Sequence, residues 1–354
     1  MAAGVTMAES GGISASMVPS LSVVIIGRNE GERLERCIQS LTPVRESLLA
    51  TEIIYVDSAS TDNSRELAAR LGARVISVTP PRPRAAIGRN AGWQASSAPI
   101  VLFLDGDTVL APDFVEAALP QFADPEVAVV FGNRREMAAH QSIYNRVLDL
   151  DWIVPPGLVE YCGGDALMRR EVLSGLNGYD EGLIAGEEPE LCWRIRARGY
   201  RIVHLDRPMV GHDLAITRFG QYWRRAVRTG YAYAEVSARF RGTASPLWER
   251  PARRNLIHAP AMMGLTIGMV LLALVTGSIA PILAGAVIIM LLVLRTAAHV
   301  RGRVPELATR LLYGIHSHLG QVPIFVGQLK YRLDRWLGRG SELIEYKTAA
   351  EGRR

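Results

Sequence analysis

Two aspartates, Asp105 and Asp107, stand one glycine apart in "IVLFLDGDTVLAPDF", residues 100–114. The residues before them are almost wholly apolar, so a buried strand would deliver two like charges to one spot. Carboxylates held that close repel, and each raises the other's pKa unless positive charge lies between them. A hard divalent cation such as Mg²⁺ or Mn²⁺ takes carboxylate oxygens and keeps positions open for phosphates. The competing reading is a polar turn, with Asp and Gly present for backbone geometry. Other reactive side chains also have structural readings. Asp57 in "DSASTDNS" could serve a turn, with Ser60 or Thr61 capping the next helix. Glu187 and Glu188 in "GEEPEL" fit a helix N-terminus, where acids complement the dipole and proline is tolerated. His204 and His212 have no partner at ligand spacing, and His316 and His318, two apart, face different ways on a helix.

The elements that must position these groups alternate between strand and helix. "LSVVII" (21–26), "EIIYVD" (52–57), "GARVISV" (72–78), "IVLFLD" (100–105) and "EVAVVFG" (126–132) read as strands. Glu30–Leu41, Asp62–Leu71 and Ile87–Ser96 read as helices between them. Apolar runs alternating with helices indicate an α/β fold with a largely parallel sheet covered on both faces. In such sheets ligands bind at the carboxyl ends of the strands. Three strands end there in "GRNE", "DSAS" and "DGD". Neither a G-x-G-x-x-G fingerprint after the first strand nor a P-loop occurs, which disfavours a dinucleotide oxidoreductase or a P-loop NTPase.

The chain of 354 residues, 49% apolar, can fill one large core or two modest ones. Met1–Ser20 is rich in Ala, Gly and Ser and lacks the pattern of a signal peptide. Cys37, Cys162 and Cys192 are far apart in sequence and point to structural thiols in a reducing compartment. The net charge of +5 divides into −8 over residues 1–216 and +13 over 217–354. Apolar content assigns the basic half to a membrane rather than to nucleic acid, because Ala259 to Leu294 contains no charged side chain. A single span needs about 20 such residues, so this run is too long for one and slightly short for two. "TGSIAP" (276–281) marks a turn near its middle, and two short helices in a hairpin follow. Arginines 250, 253 and 254 before it and 295, 301 and 303 after it place both ends on the cytoplasmic side. Beyond it, Leu, Ile and Phe mix with Arg, Lys and Trp336 in short amphipathic pieces fit for an interface.

Five segments over residues 21–240 resemble, in order, the family 2 glycosyltransferases of the GT-A (nucleotide-diphospho-sugar transferase) fold. They are "SVVIIGRNEGERLERCIQSL", "EIIYVDSASTDNS", "GRNAGWQASSAPIVLFLDGD", "CGGDALMRREVLSGLNGYDEGL" and "GEEPELCWRIRARGYRIVHL". The resemblance implies a donor site of Asn29, Glu30, Asp57, Arg89, Asn90 and Asp105, with Asp57 on the nucleobase. It implies a divalent cation, Mg or Mn, on Asp107 and Asp105, with His212 a further candidate ligand. Glu188 is the implied base, with its pKa raised by burial beside Glu187, and Asp165, Arg194 and Arg225 are implied on the acceptor or diphosphate side. Arg194 is expected to orient the acidic pair. The family's E-D pair is Glu187–Glu188 here, and the Q-x-x-R-W motif typical of processive polysaccharide synthases is absent: "GQYWRRAVRTG" offers Gln221 and Arg224 without the Trp.

The expected organisation is a loose N-terminus (1–20), a GT-A catalytic domain (21–241), a basic linker (242–258), a transmembrane hairpin (259–294), an interfacial amphipathic region (295–344) and a tail (345–354). The implied reaction moves a sugar, with inversion and metal assistance, from a nucleotide-sugar to a hydroxyl of a membrane-borne lipid or lipid-linked glycan. The implied place is the cell membrane, with the catalytic domain on its cytoplasmic face. Alternatives are a processive exopolysaccharide synthase subunit and a membrane-anchored nucleotide-binding scaffold without turnover.

Overall fold

The structure is a computed structural model that describes residues 20–47, 51–243 and 245–339. Apart from Ser20, the expected N-terminal segment and the expected tail lie outside the described residues. The strands are β1 (Leu21–Gly27), β2 (Thr51–Asp57), β3 (Arg74–Ser77), β4 (Ile100–Asp105), β5 (Thr108–Leu110), β6 (Val127–Glu136), β7 (Gly157–Leu158), β8 (Ala166–Arg169) and β9 (Arg201–His212). The helices of the first half are α1 (Glu32–Gln39), α2 (Thr42–Ser47), α3 (Ser64–Arg70), α4 (Ala85–Ala95), α5 (Phe114–Ala118), α6 (Ile143–Leu150), α7 (Arg170–Gly175) and α8 (Glu187–Ala197). Those of the second are α9 (Phe219–Arg239), α10 (Glu249–Thr276), α11 (Ala280–His299), α12 (Leu307–Leu319) and α13 (Gln321–Trp336).

The strands form one sheet in the order β3-β2-β1-β4-β8-β6-β9-β5, with β7 on β9. Its first four strands are parallel, as the alternating pattern predicts. Beyond β4 it is mixed: β8 is antiparallel to β4 and β6, β6 is parallel to β9, and β5 and β7 are antiparallel to β9. Val23, Val24 and Ile25 are successive and all fully buried, so both faces of β1 are covered. Helix α4 lies close over β1, because Gly88 and Gly92 leave room for the side chains of Ile26 and Val24.

Register then decides what meets at the carboxyl edge. Gly27 pairs with Asp57 and Ile26 with Asp105, which brings three strand ends level. Bulges between β6 and β9 carry Glu136 opposite His212, and β5 pairs Thr108 with the same His212. His204, further back on β9, stacks on Phe131 and sits 3.0 Å from the Pro155 carbonyl oxygen. Two of the cysteines that are distant in sequence meet in the fold, with Cys162 Sγ and Cys192 Sγ 3.6 Å apart.

Helices α10 and α11, of 28 and 20 residues, contain 18-residue stretches of mean hydropathy 2.0 and 2.2 and are long and apolar enough to cross a membrane. Both are longer than the uncharged run predicts. Residues 249–258, expected within the linker, form the first turns of α10, where Pro251 falls among the N–H groups that lack helical partners. The expected turn is present: Gly277 closes α10 in the left-handed conformation, and Pro281 lies in the first turn of α11. Helix α13 is tied to α10 by Gln328, which donates to the Ala252 carbonyl at 3.0 Å and to Asn255 Oδ1 at 2.8 Å.

Candidate active site

Strand β4 ends in Asp105, and the turn to β5 places Asp107 beside His212 at the end of β9. Ligand atoms of Asp105, Asp107 and His212 all lie within 4.8 Å of one another. His212 Nε2 is 3.5 Å from Asp107 Oδ1, and His212 Nδ1 is 3.9 Å from Glu136 Oε2. The Nδ1 atom is buried and has no hydrogen-bond partner among the described residues. Two carboxylates and an imidazole whose Nε2 lies beside Asp107 form a donor set that fits a divalent cation of the Mn²⁺ kind. The residues present fit the implied metal.

Arg89 joins this centre to the acidic pair. From α4, its Nη2 donates to Asp105 Oδ1 at 2.9 Å, while Nη1 donates to Glu187 Oε1 at 2.9 Å and lies 3.0 Å from Glu188 Oε1. The arginine is 2% exposed, and its guanidinium sits 5.6 Å from the Tyr179 ring centroid. Glu187 and Glu188 open α8 behind Gly186, whose left-handed turn packs against Trp248. The acids of "GEEPEL" begin a helix, and Arg89 joins them to the end of β4.

Burial and the neighbouring Glu187 push the Glu188 carboxyl up to about 7 against the opposing charge of Arg89. Burial also works against the Asp105 charge, but the guanidinium groups of Arg89 and Arg134 outweigh it and hold its pKa below the ordinary value. For Asp165, burial prevails over Arg134, and Asp105 adds to it, so its pKa is raised. A carboxyl that can take a proton near neutrality thus stands one guanidinium away from Asp105, a carboxylate held charged.

The remaining predicted residues have these positions. The Asn29 N–H donates to Ser60 Oγ at 2.9 Å, and Asn29 Oδ1 accepts from the Thr61 N–H at 2.7 Å, which ties the first two strand-end loops together. Glu30 pairs with Arg33 at 3.0 Å, its side chain close to Gly27 and Gly106. Asp57 is fully buried and accepts from the Tyr55 hydroxyl at 3.2 Å and the Ser60 N–H at 2.9 Å. Asn90 braces the segment below Arg89, donating to the Tyr179 carbonyl and to Glu181, each at 2.9 Å. Asp165 accepts from the Asp105 N–H at 3.0 Å and from Thr108 Oγ1 at 3.2 Å, so it supports the Asp105–Asp107 turn from behind. Arg194 bonds Glu190 and the carbonyls of Leu176 and Gly178 rather than the Glu187–Glu188 pair, which Arg89 contacts instead. Arg225 lies on α9, with its Nε buried and without a hydrogen bond among the described residues. Gln221 caps α9 by accepting from the N–H groups of Thr217 and Arg218, each at 3.0 Å.

Three residues of the centre escape the sequence reading. Arg134 bonds Asp105 at 3.1 Å and also pairs with Asp165. Its guanidinium lies 5.2 Å from the Trp152 ring centroid, and that ring meets His212 edge-on at 5.0 Å. Glu136 accepts from the N–H of Leu214 at 3.0 Å and that of Ala138 at 2.9 Å beside His212. The missed signal was strand length. Strand β6 runs to Glu136 rather than ending at Gly132, so "NRRE" belongs to the same carboxyl edge.

The chain matches the model of "Glycosyl transferase family 2" over residues 22–176 and that of "Glycosyl transferase family group 2" over residues 100–298. It is 27% identical over 242 residues to a pre-mycofactocin glycosyltransferase of Mycobacterium tuberculosis, covering 64% of this chain and 49% of that protein. It is also 27% identical over 223 residues to a validoxylamine A glucosyltransferase of Streptomyces hygroscopicus, covering 52% and 53% of the two chains. The chain thus spans about half the length of these curated relatives. Among solved structures, a mannosyltransferase from Pyrobaculum calidifontis in complex with GDP-Man and Mn²⁺ shares the fold, with a TM-score of 0.61 and 20% identity over 90% of this chain and 89% of that one.

Proposed function

This chain belongs to the family 2 glycosyl transferases, and we propose that it transfers a sugar, with inversion, from a nucleoside-diphosphate sugar to a hydroxyl of a membrane-borne lipid or lipid-linked glycan. The observation that carries the reading is Arg89, which holds the Glu187–Glu188 pair and Asp105 around one guanidinium. It sets a group able to take a proton beside the place where a diphosphate would leave.

Glu188 is the proposed base. It takes the proton of the acceptor hydroxyl as the oxygen attacks the anomeric carbon, and its raised pKa suits that transfer near neutral pH. Asp107 and His212, with Asp105, would hold a divalent cation, which supplies counter-charge for the departing diphosphate when bound. Arg89 keeps Glu188 oriented and keeps Asp105 ionised, while Asp165 and Thr108 hold the metal turn in place. Asn29, Glu30 and Asp57 shape the donor side; Asp57, buried and internally bonded, acts through the loop it fixes.

The lipidic acceptor is favoured by α10 and α11, since a site beside a bilayer need not extract its substrate into water. The arginines at both ends of the hairpin favour a catalytic domain on the cytoplasmic face. The test is nucleoside diphosphate release by detergent-purified protein over a panel of nucleotide sugars, with Mn²⁺ or Mg²⁺, with and without lipid extract, and with Asp107→Asn as control. Metal-dependent release that the control loses, stimulated by lipid, is the expected result. Donor binding without release under any condition would favour the scaffold reading.

A further inference from the structure

Trp152 touches two members of the acidic centre at once: its ring meets that of His212 at 5.0 Å and lies under the Arg134 guanidinium at 5.2 Å. The residue before it, Asp151, closes α6 and is bonded from outside the sheet. The Tyr313 hydroxyl donates to Asp151 Oδ1 at 3.1 Å, and His316 Nε2 lies 3.2 Å from Asp151 Oδ2. His316 Nδ1 is 2.7 Å from the Tyr222 hydroxyl on α9. Tyr313 and His316 are three apart on α12 and present one face to the catalytic half. That face also packs: Leu312 and Tyr313 join Trp152 against Val147, Leu148 and Leu214, and Leu214 follows His212 by two residues.

The same helix is fastened to the apolar hairpin. His318 lies 3.0 Å from His258 on α10 and 3.2 Å from the Thr296 hydroxyl on α11. One connected set of contacts therefore runs from both hairpin helices through α12 and Asp151 to Trp152, and from there to His212 and Arg134.

We infer that Trp152 is a positioning residue for His212 and Arg134, and that α12 holds it through Asp151, so that the metal centre takes its final shape only with α12 seated. This rests on the metal reading of Asp105, Asp107 and His212 above. The Asp151–His316 contact is too open to matter much for stability, since the aspartate side chain is 41% exposed and such pairs are weakened by solvent. Its effect is geometric, as with outer-shell partners that orient a metal ligand.

The test uses the full chain in detergent, titrated with Mn²⁺ alone and followed by quenching of tryptophan fluorescence. The wild type shows saturable quenching, and Trp152→Phe loses the component belonging to the ring beside His212. Asp151→Ala weakens Mn²⁺ binding by about 10-fold with its Tm unchanged, and Asp151→Asn, which keeps a carbonyl acceptor, falls between. Tyr313→Phe, made on the other helix, shifts the affinity the same way, and the double variant is no worse than Asp151→Ala. Wild-type affinity in both single variants, with quenching intact, would leave the metal reading standing and overturn the role of Trp152. An affinity loss seen only together with a fall in Tm would also overturn it, as ordinary loss of structure. Absence of saturable quenching in the wild type would remove the metal reading, and this inference with it.

Discussion

Glu188 and Asp105 share one guanidinium: Arg89 Nη1 lies 3.0 Å from Glu188 Oε1, and Arg89 Nη2 lies 2.9 Å from Asp105 Oδ1. The carboxyl pushed up to about 7 and the carboxylate held below its ordinary value are thus neighbours of the same cation. Their difference comes from the rest of their surroundings. Glu188 has Glu187 beside it, whereas Asp105 has a second arginine, Arg134.

Substituting Glu188→Gln keeps the side chain's size and removes its ability to accept a proton. Turnover should fall by about 10²–10⁴-fold, the usual contribution of a positioned base, with the donor KM little changed. Steady-state release of nucleoside diphosphate measures both. Unchanged turnover would remove Glu188 from the mechanism.

The pH dependence follows from the same group. A base with a pKa of about 7 is protonated below that value, so kcat/KM should fall with decreasing pH below about 7 and level off above it. The sign for stability is opposite to that of a carboxylate whose pKa is depressed on folding. The folded-state pKa is raised from 4.5, so this group's favourable contribution is full below 4.5 and is lost as pH rises through about 7. Glu188→Gln should therefore gain Tm relative to wild type between pH 5 and pH 8, in roughly that window. Thermal melts across it would show no such gain if the carboxyl titrates normally.

Removing the metal with a chelator should abolish transfer, and Mn²⁺ should restore it. Asp107→Asn and His212→Ala should each bind Mn²⁺ at least about 10-fold more weakly, because each removes a ligand from the set of three. Isothermal titration with Mn²⁺ in the absence of donor checks this apart from turnover.

Arg89→Lys should be severe despite conserving charge. A lysine presents a single ammonium and cannot fork between Asp105 and the Glu187–Glu188 pair. Breaking a buried ionic set costs about 3–5 kcal/mol, so both Tm and turnover should drop. Denaturant melts in parallel with the release assay measure the two losses.

Arg194→Ala separates the expected role from the observed one. Its bonds to Glu190 and to the carbonyls of Leu176 and Gly178 are structural, and losing them should cost about 1–3 kcal/mol of stability. At a temperature where the variant remains folded, kcat should be near that of the wild type. A selective loss of kcat would return the orienting role to Arg194.

Much of the scaffold was legible because the parallel half of the sheet is built from local pattern. "LSVVII", "EIIYVD" and "IVLFLD" are each apolar enough to be buried on both faces, and such strands must deliver their ends to one edge. The turn at Gly277 was legible for a similar reason, since only a few residue types punctuate an apolar run. The start of α10 was not. Pro251 and the charges of Glu249–His258 read as a linker, but a proline is tolerated in the first turn of a helix and charge does not end one.

The sequence by itself determined the acidic strand ends, the alternation that makes them converge and the long apolar pair that follows, because each depends on residues near one another in the chain. Only the tertiary structure decided which cation orders the acids. Arg89 and Glu187 are 98 positions apart, Arg134 and Asp165 31, and Tyr313 and Asp151 162. Such pairings follow from strand register and helix docking, which are settled by burying the whole core at once and leave no periodic trace in the sequence. So Arg89 rather than Arg194 meets the acidic pair, and Trp152 came to stand between α12 and His212.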